Sequence, residues 1–508
     1  MNKKISGFVL GVILLQFISA DLAAQGYVES ALLFSRTKPG GSARIQGAGG
    51  AQIALGGDYS SALSNPAGLG MYNRSEISLT PAYSTYDTDA SYLGTTTNDS
   101  KTGLNIPGFS LVYNMPRQKG SFLGGSLALS LSRTNDFNSQ VRYSGLNTNT
   151  SIIDYFIDVA AFGTTAQFDE GATHFNTPTG LAYFNYLIGP QTLLDPPGPD
   201  DEYFTDIKGV PFQQEEIETK GATNQWSLSY GANYNDMIFF GGGIGITSLR
   251  YESRKLFSED FQDDPLFNYL DLQEDLEIRG TGINATLGII ARPVNYLQVG
   301  VSFTTPTYYQ LSETYSAEMS TSWKNFDYYG DGSVILNQEF AGTDIVVSDY
   351  SLTTPLKFST GVAFISKYGF IAGDVEFTNP SSTKYKSNTS GISYTGENDA
   401  IKSSFKPVTN FRVGGEFRYQ IFRVRAGYAV QANTFSDDID LDNQITTISA
   451  GLGVRTQRFF ADLAWVQSNT DAVYNPYNFV VYSDLYQTPE VDLENKLTHV
   501  MLTLGVTF

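Results

Sequence analysis

Few side chains in this chain are suited to acid–base or nucleophilic chemistry. His174 and His499 are the only imidazoles among 508 residues, and there is no cysteine. Without thiols there is no thiolate nucleophile, disulfide, cysteine–zinc site or iron–sulfur ligand. A catalytic serine needs a base held against it, and a Ser–His site built on His499 has no G-x-S-x-G elbow to support it. His174, in a long polar stretch, or a nearby tyrosine would be the iron ligand if the chain took up haem. Asp327-Tyr328-Tyr329-Gly330-Asp331-Gly332 opens like a calcium loop, but its third and twelfth positions are Tyr329 and Gln338, where carboxylates are needed. Asp437, Asp438, Asp440 and Asp442 read as a solvated acidic rim. Gly47-Ala48-Gly49-Gly50 is not followed by Gly-Lys-Ser/Thr, so it is read as tight turns and not as a phosphate loop. The expectation is a protein that is not an enzyme and carries no cofactor and no metal.

Composition points the same way. The formal charge is −20, charged residues are 17 % and aromatics 14 %. An acidic chain repels phosphate, which excludes nucleic acid as a partner. The aromatic content excludes disorder. Residues 1–24 have the form of a secretory signal: Lys3 and Lys4, an apolar run from Phe8 to Ala20, and small Ala23 and Ala24 before Gln25. That run is too short to span a bilayer, which needs about 18 apolar residues or more.

The elements that must position everything else show in the alternation. Val500, Leu502, Leu504, Val506 and Phe508 fall on one face of a strand, and His499, Met501, Thr503, Gly505 and Thr507 on the other. The same apolar-versus-small-or-charged pattern recurs through Phe411–Tyr419 against Arg412 and Glu416. It recurs again in Phe422–Val430 against Arg423 and Arg425, in Ile448–Val454, in Phe459–Trp465 against Asp462, and in Ile371–Phe377 against Asp374 and Glu376. A lipid-facing face opposite a charged one is the pattern of an outer-membrane barrel strand. A water-soluble sandwich would put the charges outside.

Connection lengths also alternate. Tight links fall near 117–119, 235–236, 293–295, 366–369, 420–421 and 456–458. Long ones fall near 89–103, 138–223, 257–277, 314–354, 380–406, 435–443 and 471–494. Between them lie strands at 75–88, 104–116, 120–137, 224–235, 237–256, 278–292, 296–312, 355–366, 368–379, 407–419, 421–434, 444–456, 458–470 and 495–508. The fold class is therefore all-β, a transmembrane antiparallel barrel of about 14 strands. The expected organisation is a signal at 1–24, an N-terminal plug in the lumen at 25–74, and the barrel at 75–508. The inward charges are expected to pair with one another and with the plug.

Arg44-Ile45-Gln46-Gly47-Ala48-Gly49-Gly50-Ala51, Gly57-Asp58, and Ser61 through Leu69 with its Asn65-Pro66-Ala67-Gly68 element together resemble the plug segment of the FadL/TodX family. The hairpin 407–430 and Asp374-Val375-Glu376-Phe377 are similar to that family as well. The flavour is similar to family members from Bacteroidetes. These are outer-membrane transporters of hydrophobic compounds such as long-chain fatty acids or aromatic hydrocarbons. The resemblance implies a route from a loop groove to a lumen pocket, then out by plug movement and a lateral opening at a kink in the third strand.

Candidate groove residues are Ile153, Phe156, Ile157, Phe162, Tyr183, Phe184 and Leu187, in two apolar stretches that would otherwise pack together as a lid. Gly124 and Gly125 are the candidates for the kink. The expected partners are a hydrophobic small molecule, outer-membrane lipid and lipopolysaccharide, and the barrel-insertion machinery reading Phe508, with the chain acting as a monomer. The alternatives are an outer-membrane scaffold that binds cargo in protein secretion, haem uptake, or an adhesin using the acidic loops.

Overall fold

A computed structural model describes residues 26–117, 120–161, 165–168, 175–190, 203–389, 391–439, 441–479, 481 and 485–508. Fourteen antiparallel strands close on themselves. In chain order they are β1 (Glu76–Tyr92), β2 (Thr95–Pro116), β3 (Phe122–Asp136, carried on by Ser139–Leu146), β4 (Phe212–Tyr234) and β5 (Ile238–Asp260). Then come β6 (Phe267–Val294), β7 (Leu297–Thr304, carried on by Tyr308–Asp327), β8 (Val346–Thr353 with Lys357–Ser366) and β9 (Gly369–Thr378 with Lys384–Ser387). The last five are β10 (Val408–Tyr419), β11 (Phe422–Gln431), β12 (Ile445–Arg455), β13 (Phe459–Tyr474) and β14 (Val491–Thr507). Each strand pairs with its neighbours in sequence, and β14 returns to β1 in a ladder running from Glu76↔Thr507 to Ser91↔Asp492. Phe508 N–H donates to Ser75 O at 2.9 Å and Ser75 N–H to Phe508 O at 3.1 Å, which fastens the seam.

The alternation read from the sequence sorts as expected. Leu504, Phe411, Phe417, Leu452, Phe459 and Ile371 stand outward and exposed, while Thr503, Arg412, Glu416, Asp462 and Asp374 are buried on the inner face. Tyr296, Tyr368, Tyr419 and Phe508 are exposed at the short-turn end, where an aromatic girdle meets the membrane interface. Among the described residues no helix is long and apolar enough to cross a membrane.

Strand count and short turns match the sequence reading, but the long connections need correction. The expected loop at 89–103 is a hairpin: Thr95–Tyr92 pairing continues down to Lys101↔Tyr86 around a Leu93-Gly94 turn with φ of 46° and 82°. Threonine is a good strand former, so the Thr95-Thr96-Thr97 run pairs without needing an apolar face. Strands likewise run on through much of 212–223, 257–260, 267–277, 314–327, 346–353 and 471–474. Part of 314–354 adds a further hairpin strand, Ile335–Gly342, on β7.

Candidate functional site

Before β1, residues 26–35 form a helix, α1, followed by α2 (Ala43–Gln46), α3 (Ser61–Ser64) and a 3-10 turn at Pro66–Met71. These residues meet the inner face of strands all round the barrel. Ala43 N–H donates to Thr503 Oγ1 at 2.8 Å on β14, and Gly49 N–H to Ser449 Oγ at 3.0 Å on β12. Gln52 and Ile53 N–H donate to Asp374 Oδ2 on β9 at 2.5 and 3.0 Å. Ser229 on β4 and Ser302 on β7 donate to Ala62 O and Ser64 O at 2.8 and 2.5 Å. Asn65 is the hinge of its own motif. Its Nδ2 donates to Ile53 O at 2.7 Å, and its Oδ1 accepts from Ala67 N–H at 3.2 Å, which starts the turn at Pro66.

Inward glycines let backbone touch backbone. A Cβ on Gly414 would lie 2.0 Å from Ala48 O, and one on Gly427 2.0 Å from Gly49 N. No side chain fits there, so β10 and β11 carry glycine where they meet Ala48-Gly49.

Arg44 sits between Asp58 at 3.8 Å and Glu416 at 3.6 Å. Arg425 bridges Glu416 at 2.6 Å and Asp462 at 2.7 Å, and Arg412 meets Glu376 at 3.1 Å. The expected pairing of inward charges with one another and with the N-terminal residues is what these distances describe. Arg423 instead donates to the carbonyls of Gln420 and Phe422 at the short turn, and Arg455 lies over the Phe460 ring.

The third strand departs from a regular ladder at two places. Gly124 has φ of +105° and its ladder to β4 slips beside Phe122, at the short-turn end. Farther along, β2 and β3 pair only over Gly108–Pro116 with Ser132–Gly124. Beyond that limit β2 stays with β1, and β3 stays with β4. Pro107, next to the last rung, has no N–H with which to continue. On the other side β3 bends inward. Thr134 O accepts from Lys38 N–H at 2.8 Å, and Asn135 Nδ2 donates to Leu33 O and Arg36 O at 2.8 and 3.2 Å. Lys101 Nζ at 3.0 Å from Glu218 and Arg142 at 3.2 Å from Asp99 close the gap above. This leaves a stretch of wall without strand pairing, a window in the ladder, between residues 101–107 and 133–138. Leu104 and Ile106 stand exposed on its outer side.

Two adjoining cavities lie inside, and they share Lys38, Pro39, Thr134 and Arg412. One reaches the window through Asn105, Pro107 and Arg133, with Ala82, Val466 and Met501 as an apolar wall. The other mixes Thr247, Thr305, Thr307, Thr354, Gln225 and Asn284 with Phe34, Ile53 and Leu63.

Above the barrel, α4 (Ile152–Ala160) and α5 (Pro178–Phe184) pack on the inner face of the extended strands. Ile153, Phe156 and Leu187 are buried in that cluster with Phe257, Phe267 and Trp323, and Ile157 and Tyr183 pack at its side. Phe184 is half-exposed, in edge contact with Tyr183 and Phe175. Phe162 and His174 lie outside the described residues, as does the signal stretch 1–24. The cluster is anchored by Glu259, which accepts from Ser151 Oγ at 2.5 Å, Ile152 N–H at 2.8 Å and Gln213 Nε2 at 2.6 Å. Burial pushes its carboxyl up to about 7. Glu259 stands on the loop side of Arg250, Glu252 and Arg254, outside the apolar belt.

His499 does meet a serine, with Nδ1 2.7 Å from Ser84 Oγ. Ser84 is 0 % exposed, so its hydroxyl is not presented to the cavity. Asp327 Oδ1 and Oδ2 accept from Gly330 and Gly332 N–H at 3.0 and 2.8 Å, a turn closed on itself. Among the described residues no cluster of three His, Asp or Glu could hold a metal.

Sequence reading missed α1, Lys38 and Pro107. Val28, Ala31 and Phe34, all buried, recur at helical spacing and are the signal for α1. Pro107 inside a strand pattern is the signal for an interrupted ladder.

The fold and its outward apolar face define a transmembrane β-barrel of fourteen strands. No family model and no curated protein matches the chain by sequence. Among solved structures, a Pseudomonas aeruginosa FadL homologue superposes with a TM-score of 0.52 at 14 % identity, over 92 % of this chain and 98 % of that one. The Pseudomonas putida toluene transporter TodX gives 0.49 at 12 % identity over 93 % and 100 %, and the Ralstonia pickettii toluene transporter TbuX 0.49 at 12 % over 92 % and 99 %. At 14 % identity the likeness to the FadL homologue establishes a common fold.

Proposed function

We propose that this chain is an outer-membrane channel for the uptake of hydrophobic small molecules, with residues 25–74 as a plug in the lumen. The observation that carries the reading is the window between β2 and β3, set beside a cavity with an apolar wall. Unpaired strand edges are not stable against lipid unless they line a cavity, so a gap at this height suits a portal through which a solute leaves sideways. The edge of β3 at the window is held by Lys38, Leu33 and Arg36 of the N-terminal residues. Plug movement would therefore release the strand and widen the portal. The entry side is the loop cluster around Ile153, Phe156, Ile157, Tyr183, Phe184 and Leu187, which must part to admit a ligand. Phe184 and Tyr183, at its margin, meet the ligand first.

The fold shared with a FadL homologue, at a TM-score of 0.52, supports the same reading. The test is binding by the purified full-length barrel of a long-chain alcohol or alkylbenzene, followed in proteoliposomes with and without residues 26–70. Saturable binding, and an open ion-conducting pore on deletion, are the expected results. No binding of either probe, with conductance unchanged by the deletion, would overturn the proposal.

A further inference from the structure

The window has an outer mouth as well as an inner one. On the outside it opens into a recess whose charge is out of keeping with a chain of net charge −20. Lys101, Arg133 and Arg250 line it with the amides of Asn105, Asn138 and Asn224, and among the described residues no carboxylate does. Arg133 shares the outward face of β3 with Leu127 and Leu129, and Arg250 that of β5 with Ile244 and Ile246. Each cation has a carboxylate beyond the lining. Glu218 is 3.0 Å from Lys101, Asp136 is 2.8 Å from Arg133, and Arg250 Nε donates to Glu252 at 2.7 Å. These contacts fix the side chains around the recess and still leave that of Arg250 59 % exposed. A guanidinium has five N–H donors, more than one carboxylate takes up, and its fork matches phosphate oxygens in pairs.

The height suits a lipid head. Ile246 opposite Ile283 is the last rung of β5 and β6 with exposed apolar side chains on both strands. Arg250 stands opposite Arg279 two outward rungs higher. That is about 13 Å along the strand, and about 10 Å in height at the tilt of a barrel strand, where hydrocarbon gives way to headgroups. Like charges directly opposite each other repel. Glu252 and Glu277, one outward rung further up, offset this in part, each arginine lying 3.9 Å from the glutamate of the other strand. Both arginines nevertheless remain more than half exposed, so the rung offers its charge outward. Below Lys101, Leu104 and Ile106 lie on the edge of β2 that has no neighbouring strand, and Leu104 is 83 % exposed. Cations at headgroup height with bare apolar side chains beneath them are the two halves of a phospholipid site.

We propose that the outer mouth of the window binds the phosphate head of an outer-leaflet lipid. Arg250, Arg133 and Lys101 surround the phosphate, and one acyl chain lies over Leu104 and Ile106 along the gap. The lipid covers the strand edges that β2 and β3 leave without a partner, which hydrocarbon alone cannot satisfy. The site is on the outer wall and not in the lumen, and it goes beyond the channel reading without depending on it. A solute leaving by the window has to displace the chain that lies there.

Three probes separate head from chain: dioleoylphosphatidic acid, dioleoylglycerol and glycerol 3-phosphate, each titrated against the full-length barrel and read by native mass spectrometry from detergent. The first phosphatidic acid is expected to bind about tenfold or more tighter than either of the others, as a charge-assisted hydrogen bond implies. Arg250→Gln and Arg133→Gln are each expected to lower that binding about tenfold, toward the diacylglycerol level. Arg254→Gln, outside the recess and 3.8 Å from Asp275, is expected to leave it unchanged. Arg250 is a surface side chain, so its variant tests the site even where Arg133→Gln fails to fold. Equal binding of phosphatidic acid and diacylglycerol overturns the inference. So does an equal loss in all three variants, which is charge attraction without a site. Glycerol 3-phosphate binding as tightly as phosphatidic acid overturns it too, and makes the recess a site for free phosphate. The channel stands after any of these outcomes, because it is tested by the binding of an uncharged apolar probe.

Discussion

Arg44 is enclosed by the carboxylates of Asp58 and Glu416, and its guanidinium also donates to Gly57 O at 3.0 Å. Removing one member of a buried ion pair costs about 3–5 kcal/mol, because the charge left behind is uncompensated. Glu416 keeps Arg418 and Arg425 at 2.6 Å, so Arg44→Ala is expected at the low end, near 3 kcal/mol. Hydrogen exchange over residues 43–60 should accelerate in that variant while the strands stay protected.

Glu259 gives a pH dependence of known sign. Its carboxyl is raised from an ordinary 4.5 to about 7 when buried under Ser151 and Ile152. The closed loops therefore hold the proton more tightly than loops opened to water. Closure is fully favoured below 4.5, weakens as pH rises from there through about 7, and is flat above. Burial raises Asp154, on α4, in the same sense. Proteolysis of the 147–160 region is expected to be slower at pH 5 than at pH 8. Glu259→Ala, which takes the shared carboxylate from Ser151, Ile152 and Gln213, should speed it at both pH values, by a local loss of about 2 kcal/mol. At this scale the sequence showed which side chains face inward, because alternation is local. It did not show which carboxylate would meet which arginine, because those partners are brought together by closure of the barrel.

The N-terminal residues and the wall fit as elements. Gly414 and Gly427 belong to adjacent strands and receive Ala48-Gly49. Gly414→Val is expected to unseat that contact and raise ion leak through reconstituted barrels. Gly373→Ala, whose nearest new neighbour would be Arg412 O at 3.7 Å, should leave the leak unchanged. The short turns were legible because they break the apolar alternation abruptly, as at Asn235-Asp236 with φ of 55° and 56°. The extensions of β1, β2 and β4–β7 were not, because above the membrane the outward face turns polar and the apolar side chains, such as Tyr92, Phe267, Leu270, Leu272 and Met319, turn inward, the reverse of the membrane-spanning pattern. The two apolar helical stretches, α4 and α5, were legible as a cluster. Whether they enclose a ligand or only each other depends on packing with Phe257, Phe267 and Trp323, which lie far off in sequence.

At the scale of the molecule, the composition resolves into three zones. Aliphatic and aromatic side chains cover the outside, small and charged residues line the inside with residues 26–74, and a polar rim of extended strands carries an apolar cap. The asymmetry in this wall is the unpaired stretch between β2 and β3, where the cavity, the bent third strand and the N-terminal residues converge. The absence of native cysteine makes that stretch directly testable. A single cysteine at Asn105, which lines both the cavity and the window, is labelled with a bulky maleimide in proteoliposomes. The flux of an apolar probe is then compared before and after labelling. If solutes leave by the window, labelling at Asn105 lowers the flux to that of protein-free vesicles, while labelling an outward position such as Phe411→Cys leaves it intact. Flux that is the same before and after labelling at Asn105 would contradict a lateral route.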